Sequence, residues 1–332
     1  MRILHLLDRC VPSEGAWHIL NMWPQSEQAG DVLAVCCLGR DSEDVGVFRQ
    51  AGVSVHALGW SRWFDPRALW NLRRHLDAIN PDVIHVWDRF TLRVLAIVNR
   101  QRLRQVVLTL DGDAKHRWWD RRLIDAVRTW SPWELTNVPS VSHSDSMAAQ
   151  NEIPTGNPVS RPFRIVCAGW NDRNAGFRSA IWAFDFLRHY YLGLQLDLVG
   201  VEDASGSLFR LAVGLEVTDR VTFHPPRHHL RDTFARADLV WLPGVTGGEI
   251  AWEAMHLGKP IVASDVPSFR RVLGEDSVSR LVSVGDVTAL SRATHELLRS
   301  TELRDRLGRA GQVRAGLIEP CWRKAYEQIA SR

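Results

Sequence analysis

Lysine is nearly missing from this chain: only Lys115, Lys259 and Lys324 occur, so almost all of the 41 basic residues are arginine. Cysteine is sparse too. Cys10, Cys36, Cys37, Cys167 and Cys321 form no Cys-x-x-Cys pair and are odd in number, which argues against a disulfide framework or a cysteine-built zinc site. A reducing, cytoplasmic compartment is the natural expectation. No apolar run approaches the roughly 20 residues of a membrane-spanning helix. The opening Met1–Leu7 run is too brief for the apolar core of a signal peptide and reads as a β-strand. The net charge of +3 is too small to argue for a nucleic-acid partner.

What remains is a chain of 332 residues, 45% hydrophobic and 24% charged, which suits a soluble protein of two domains. Short β-branched runs alternate with segments of helical period, the pattern of parallel α/β units. Strands are predicted near Ile3–Leu7, Val32–Leu38, Val53–His56, Val83–Trp87, Val106–Leu110 and Leu135–Val141, with helices such as Ala68–Ile79 and Leu123–Trp130. The polar, Pro/Gly-rich stretch Asn151–Pro158 reads as a linker. A second alternation follows through Arg164–Ala168, Leu196–Val199, Val221–Phe223, Leu239–Leu242, Ile261–Ala263 and Leu281–Val282. Helices near Asp286–Leu298, Thr301–Ala315 and Trp322–Ala330 close the chain. The division expected is 1–155, 156–316 and a final helix in 317–332. Ligands of open α/β sheets sit at the carboxyl ends of strands, so function is expected in a cleft between the halves.

The stretch Glu253-Ala254-Met255-His256-Leu257-Gly258-Lys259-Pro260-Ile261-Val262-Ala263-Ser264 carries the sharpest chemistry. A carboxylate lies in the first turns of a short helix, and Gly247 and Gly248 precede it. Helix N-termini attract anions, and glycines let a phosphate approach the backbone. One carboxylate beside such a site has two oxygens for the vicinal hydroxyls of a ribose. An ordinary α/β turn with a solvated Glu accounts for the same spacing.

Together these residues resemble the retaining glycosyltransferases of the GT-B fold, family 4 ("group 1"). The resemblance runs over nearly the whole chain. Met1–His5 with Gly15-Ala16 is similar to the opening strand and Gly-rich loop, and Pro81-Asp82-Val83-Ile84-His85 to the fourth-strand signature. Leu198-Val199-Gly200, Asp219–Phe223 and Ala237-Asp238-Leu239 are also similar, and the Glu253 block is the most specific piece. The resemblance implies two Rossmann-like parallel-sheet domains facing across a cleft. It implies a C-terminal half that binds a nucleotide-sugar donor and an N-terminal half that takes the acceptor, with the last helix packing back on the first domain. Gly15, Gly169, Gly247, Gly248, Glu249 and Glu253 are then donor-binding candidates, with Glu253 on the ribose. No cofactor or metal is implied.

Three positions depart from the family pattern. Val245 stands where the family carries a sugar-contacting Glu, with Glu249 between it and Glu253. The family's Gly-Arg-x-x-x-x-Lys-Gly segment supplies two diphosphate cations; here it reads Gly169-Trp170-Asn171-Asp172-Arg173-Asn174-Ala175-Gly176. Hydrogen bonds to charged groups are worth about 1.5–3 kcal/mol each, so losing both cations costs rate unless Arg173 or Arg178 replaces them. Trp170 is a candidate to stack on the donor. Where the family often has a His after the fifth strand, this chain has Leu110-Asp111-Gly112-Asp113, and Asp111 is the catalytic-side candidate. The Asp111-x-Asp113 spacing is too short a match for a metal motif, since Asp/Gly clusters are ordinary turn chemistry.

Eight of the 15 tryptophans fall between residues 60 and 134, where 14 Lys/Arg stand against 9 Asp/Glu. Aromatic and basic helix faces lie at membrane surfaces; tryptophans also stack on sugars or fill helix–sheet cores. His85, at the end of a buried strand, reads as a core histidine. The expected protein is a metal-independent hexosyltransferase with a polysaccharide, lipid-linked or small-molecule acceptor, cytoplasmic and in peripheral membrane contact through the N-terminal Trp/Arg surface. The alternative is a catalytically weak nucleotide-binding or partner-binding relative on the same fold.

Overall fold

The computed structural model describes residues 1–9, 15–16, 18–20, 30–39, 48–49, 52–60, 65–109, 118–129, 162–169, 175–201, 206–224, 230–245, 247–274, 278–318 and 322–331. The chain forms two compact units, one of residues 1–134 with 320–332 and one of residues 135–319.

In the first unit, strands β1 (Arg2–Leu7), β2 (Val32–Cys37), β3 (Ser54–Ala57), β4 (Val83–Val86), β5 (Val106–Leu108) and β6 (Arg128–Thr129) make one sheet in the order β3-β2-β1-β4-β5-β6. Every pairing is parallel. Parallel strands are covered on both faces, so they read as continuous apolar runs. In β1, Leu4 and Leu6 go to one face, where α1 (Pro66–Ile79) and α2 (Arg89–Val98) supply Leu72, Leu76, Leu92 and Leu95. Ile3 and Leu7 go to the other face, which Ile19, Phe48, Tyr326 and Ile329 cover. Asp65 caps α1 by accepting from the Arg67 and Ala68 amides, and Asn80 closes it in the left-handed region.

One sequence expectation fails here. The predicted Leu123–Trp130 helix is instead a short helix, α3 (Trp118–Ile124), followed by the edge strand β6. Tight turn bonds from Ala126 to Leu123 and Val127 to Ile124 end the helix. Arg128 and Thr129 then pair with Val107 and Leu108. A free sheet edge overrides a helical period over so few residues. The predicted strand Leu135–Val141 and the linker Asn151–Pro158 lie outside the described residues.

In the second unit, β7 (Phe163–Ala168), β8 (Leu194–Val199), β9 (Val221–His224), β10 (Leu239–Leu242), β11 (Ile261–Ser264) and β12 (Arg280–Val282) form a second sheet, ordered β12-β11-β10-β7-β8-β9. All its pairings are parallel. Helices α4 (Phe177–Arg188), α5 (Ser207–Gly214) and α9 (Val287–Arg299) share one core over β7 and β8, through Phe177, Phe184, Leu208, Ala212, Leu290 and Leu297. Between them in sequence lie α6 (Leu230–Ala235), α7 (Gly248–His256) and α8 (Pro267–Leu273), which bury Phe234, Ile250, Met255 and Phe269. Helix α10 (Thr301–Leu317) packs along α7. The last helix, α11 (Trp322–Ala330), belongs to the first unit, against β4 and β5.

Candidate functional site

In each sheet the strand order reverses once, between β1 and β4 and between β7 and β10. At such a switch point the two loops diverge and leave a crevice at the carboxyl ends of the strands. The two crevices are built differently.

In the first unit the crevice is filled. Gly15 faces the Trp87 indole so closely that a Cβ would overlap the ring. The Asp88 carboxylate caps α2 by accepting from the Thr91 amide at 2.7 Å, and also accepts from the Asp8 amide at 3.2 Å. An acid thus already occupies this helix start. Below it lies a buried polar chain. His85 is held between the Tyr326 hydroxyl, 2.5 Å from Nδ1, and Thr109 Oγ1, 2.8 Å from Nε2. Trp87 stacks on His85 with ring centres 3.9 Å apart and donates its indole N–H to His5. Burial holds His5 and His18 at pKa values of about 3 and His85 well below its ordinary value, so all three rings are neutral. His85 is the satisfied core histidine that the sequence suggested.

In the second unit the crevice is lined by bare backbone. Gly200, at φ +106°, sits where a Cβ would overlap the Gly169 carbonyl oxygen. Gly176, at φ +71°, meets the Pro243 carbonyl in the same way. The loops after β7, β8 and β10 therefore touch backbone to backbone, which only glycine permits at those points. Ala175, where the family has its lysine, is buried and turned onto Gly169. The side of Gly169 on which a Cβ would project is thus closed by the loop itself.

The helix starts around this crevice share a feature. Among the described helices, α1, α2, α9 and α10 begin at Asp65, Asp88, Asp286 and Ser300, whose side chains accept from the first-turn amides. Helices α4, α5 and α7 begin at Gly176, Gly206 and Gly247, and none has a side-chain cap. At each start the N-cap position itself offers no side-chain acceptor to the first-turn amides, where the positive end of the helix dipole lies. A cavity of about 430 Å³ opens beside these starts, lined by Gly176, Arg178, Ser179, Ser207, Gly244 and Val245 among others. Val245 is 38% exposed, so an apolar side chain faces the space where the family pattern has a carboxylate.

Helix α7 also carries the two carboxylates. Glu249, in its first turn, and Glu253, one turn further, are both buried, with Glu253 only 4% exposed. Glu253 Oε1 accepts no hydrogen bond, and the Arg231 Nε lies 3.9 Å away. Burial raises the Glu253 carboxyl above its ordinary value, with Arg231 and His256 opposing the shift. A buried carboxylate oxygen without a donor is costly unless a ligand supplies one. Arg231 carries no motif signal; its place follows from α6 packing on α7. His224 is the last residue of β9, with Nε2 3.5 Å from Asp197. Arg164 holds the same Asp197 from the neighbouring strand at 2.5 Å. Asp111, Trp170 and Arg173 lie outside the described residues.

Known proteins agree with this architecture. A family model described as "Glycosyl transferases group 1" matches residues 162–300, and one described as "Glycosyltransferase Family 4" matches residues 15–150. The chain is 45% identical over 272 residues to a phosphatidyl-myo-inositol mannosyltransferase of Mycobacterium leprae, covering 75% of this chain and 72% of that protein. Over 116 residues it is 34% identical to a D-inositol 3-phosphate glycosyltransferase of Mycobacterium tuberculosis, only 24% of whose length it spans. Among solved structures, Anabaena HepE in complex with UDP and glucose superposes with a TM-score of 0.72 at 16% identity, covering 100% of this chain and 98% of that one. Sucrose-phosphate synthase from Thermosynechococcus elongatus does so with a TM-score of 0.68 at 16% identity, covering 100% and 96%. With two parallel six-stranded sheets, two family models and a relative this similar, the chain belongs to the family-4 (group 1) glycosyltransferases of the GT-B fold and is a nucleotide-sugar-dependent hexosyltransferase.

Proposed function

We propose that the second unit binds the nucleotide-sugar donor, with Glu253 on the ribose and the diphosphate at the bare helix starts beneath Gly247 and Gly248. The observation that carries this reading is the contrast in helix caps. The crevice of the first unit is closed by Trp87 and an Asp88 cap, whereas α4, α5 and α7 start at uncapped glycines. An anion replaces water on such N–H groups without displacing any side chain. Glu253 accepts two hydroxyl donors there, which satisfies its open oxygen. The leaving diphosphate gains charge as the glycosidic bond breaks, and fixed N–H dipoles stabilise that charge without reorganising. No metal is needed in this scheme, and chelator treatment should leave the rate unchanged.

The transferred sugar is a hexose, mannose by analogy with the Mycobacterium leprae relative. The acceptor is an inositol-bearing lipid or another membrane-linked glycan, and transfer proceeds with retention. Asp111 is the proposed reactive-side group. The site of action is the cytoplasmic face of the membrane, reached by the first unit through α1, where Trp70 is exposed and the Arg74 guanidinium lies 5.7 Å from its ring centre.

Calorimetry against GDP, UDP and ADP, each compared with its nucleoside, tests the donor assignment. The diphosphate should bind at least about tenfold more tightly than the nucleoside, from one or two charge-assisted bonds of about 1.5–3 kcal/mol each. No binding by any nucleoside diphosphate removes the assignment. A second reading, a nucleotide-binding relative with little activity, draws on Val245 and the buried Ala175 in place of charged groups. Tight GDP or UDP binding with neither sugar transfer nor donor hydrolysis would favour it.

A further inference from the structure

Leu230 and Phe234, one turn apart on α6, are both buried and fix that helix against α7. Arg231, next to Leu230, is thereby carried to the flank of α7, with Nε 3.9 Å from Glu253 Oε1. Charge acts across that separation, but it is too long for a hydrogen bond. The Arg231 side chain is 65% exposed, while the carboxylate it approaches is buried.

Elsewhere in this unit, arginines bond directly to the shielded acids they meet. Arg164 donates to Asp197 at 2.5 Å, and Arg188 to Asp185 at 2.8 Å. A pair of that kind would hold Glu253 ionised, but it would occupy the oxygen, and a ligand hydroxyl would have to break it first. Arg231 stops short of that contact, and Glu253 Oε1 is left open.

A carboxylate that receives two hydroxyls has to be charged, because protonation turns one accepting oxygen into a donor. Burial works against that charge, and Arg231 and the His256 imidazole are the cations that oppose burial. His256, exposed on α7 and stacked on Trp252 with ring centres 5.3 Å apart, is a cation only when protonated. The guanidinium is one at every working pH. The other charged neighbours are engaged or lie apart. Glu249 is one turn earlier on α7, Asp232 on α6 is exposed, Arg270 on α8 is bonded to Asp265, and Arg314 on α10 donates to the Arg271 and Val272 carbonyls.

We propose that Arg231 is a positioning residue for the donor: its charge stabilises the Glu253 carboxylate from 3.9 Å without occupying the oxygens that the ribose diol takes. This role rests on the placing of Glu253 at the ribose.

Calorimetry with guanosine and with uridine, from about pH 8 down to about pH 5, tests it; nucleosides avoid the phosphates, which themselves titrate near about pH 6. Wild-type affinity should fall as pH drops through the Glu253 titration. Arg231→Met should move that fall to higher pH by at least about half a unit, with little change at the alkaline end. Arg231→Lys should restore most of the wild-type profile, and Arg231→Gln carries the same comparison if Arg231→Met does not fold. Repeating the pair in a His256→Gln background removes the second titrating group, so that the midpoint reports Glu253. An unshifted midpoint in the Arg231 variants would overturn the proposal, even with a uniform loss of affinity, which would mark a direct or purely structural contact. Wild-type protein that binds neither nucleosides nor their diphosphates, or Glu253→Gln that binds as wild type does, would remove the ribose assignment itself. A profile that depends on Glu253 but is blind to Arg231 would remove only the role of Arg231.

Discussion

The Tyr326 hydroxyl lies 2.5 Å from Nδ1 of His85, joining the last helix to the central strand of the first sheet across 241 residues of sequence. Both groups are fully buried, and burial keeps the phenol protonated and the imidazole neutral. One ring nitrogen then donates and the other accepts, between Tyr326 and Thr109.

Tyr326→Phe removes the hydroxyl and leaves a buried ring nitrogen without its partner. The cost should be about 1–3 kcal/mol, read as a lower midpoint in urea unfolding. A Thr109→Val/Tyr326→Phe pair should cost less than the sum of the single changes, because the two hydroxyls bond one ring. Strict additivity would mean that the ring does not couple them.

Acid should loosen the first unit before carboxylates protonate. His5 and His18 titrate near 6.5 when unfolded but at about 3 when folded. A base whose folded pKa is depressed contributes stability that is present above the unfolded value and lost as pH falls. The window therefore runs from about pH 6.5 down to pH 3, with an upper slope near 1.4 kcal/mol per pH unit for each group. Urea midpoints at pH 7 and pH 5 measure it. His5→Gln should flatten the slope; an unchanged slope would show that His5 is not neutral in the folded chain.

Glu253→Gln should separate stability from binding. The folded carboxyl has a raised pKa, so the charged form is disfavoured at neutral pH and a neutral amide should hold or raise the melting temperature. Nucleoside affinity should fall about tenfold or more, since the amide replaces one of the two accepting oxygens with an NH2 donor, which faces a ribose hydroxyl less favourably. Equal losses from nucleoside and nucleoside diphosphate place the contact at the ribose. Unchanged nucleoside affinity would remove Glu253 from the site.

Gly206→Asp would give α5 the kind of cap that Asp88 gives α2. Gly206 has φ −75°, so an aspartate fits its backbone without strain. Stability should stay level or rise by a few tenths of a kcal/mol. Diphosphate affinity should fall while nucleoside affinity holds, because a fixed carboxylate repels phosphate at the cavity beside Ser207. Equal diphosphate affinity in both proteins would exclude this helix start from the site.

Much of the sheet framework was legible because its cues are local. β-branched runs such as Ile261–Ser264 and Phe163–Ala168 need no distant partner to be read as buried strands. Arg128–Thr129 was not legible as a strand, since two residues carry no period and a neighbour's free edge decides their state. Glu253 and the glycines of α7 were readable from spacing. The approach of Arg231 to Glu253, and the closure of Gly169 by Ala175 and Gly200, were not, because they depend on loops from different strands meeting.

The sequence by itself determined the two runs of parallel α/β units and the family block around Glu253, because hydrophobic period and glycine chemistry act over a few neighbouring residues. Tertiary structure alone decided which crevice stays open. Trp87 and Asp88 close one, while uncapped glycines border the other. It also decided that Trp182 and Phe186 of α4 and Phe209 of α5 stay exposed, because burial depends on which elements pack together and not on composition.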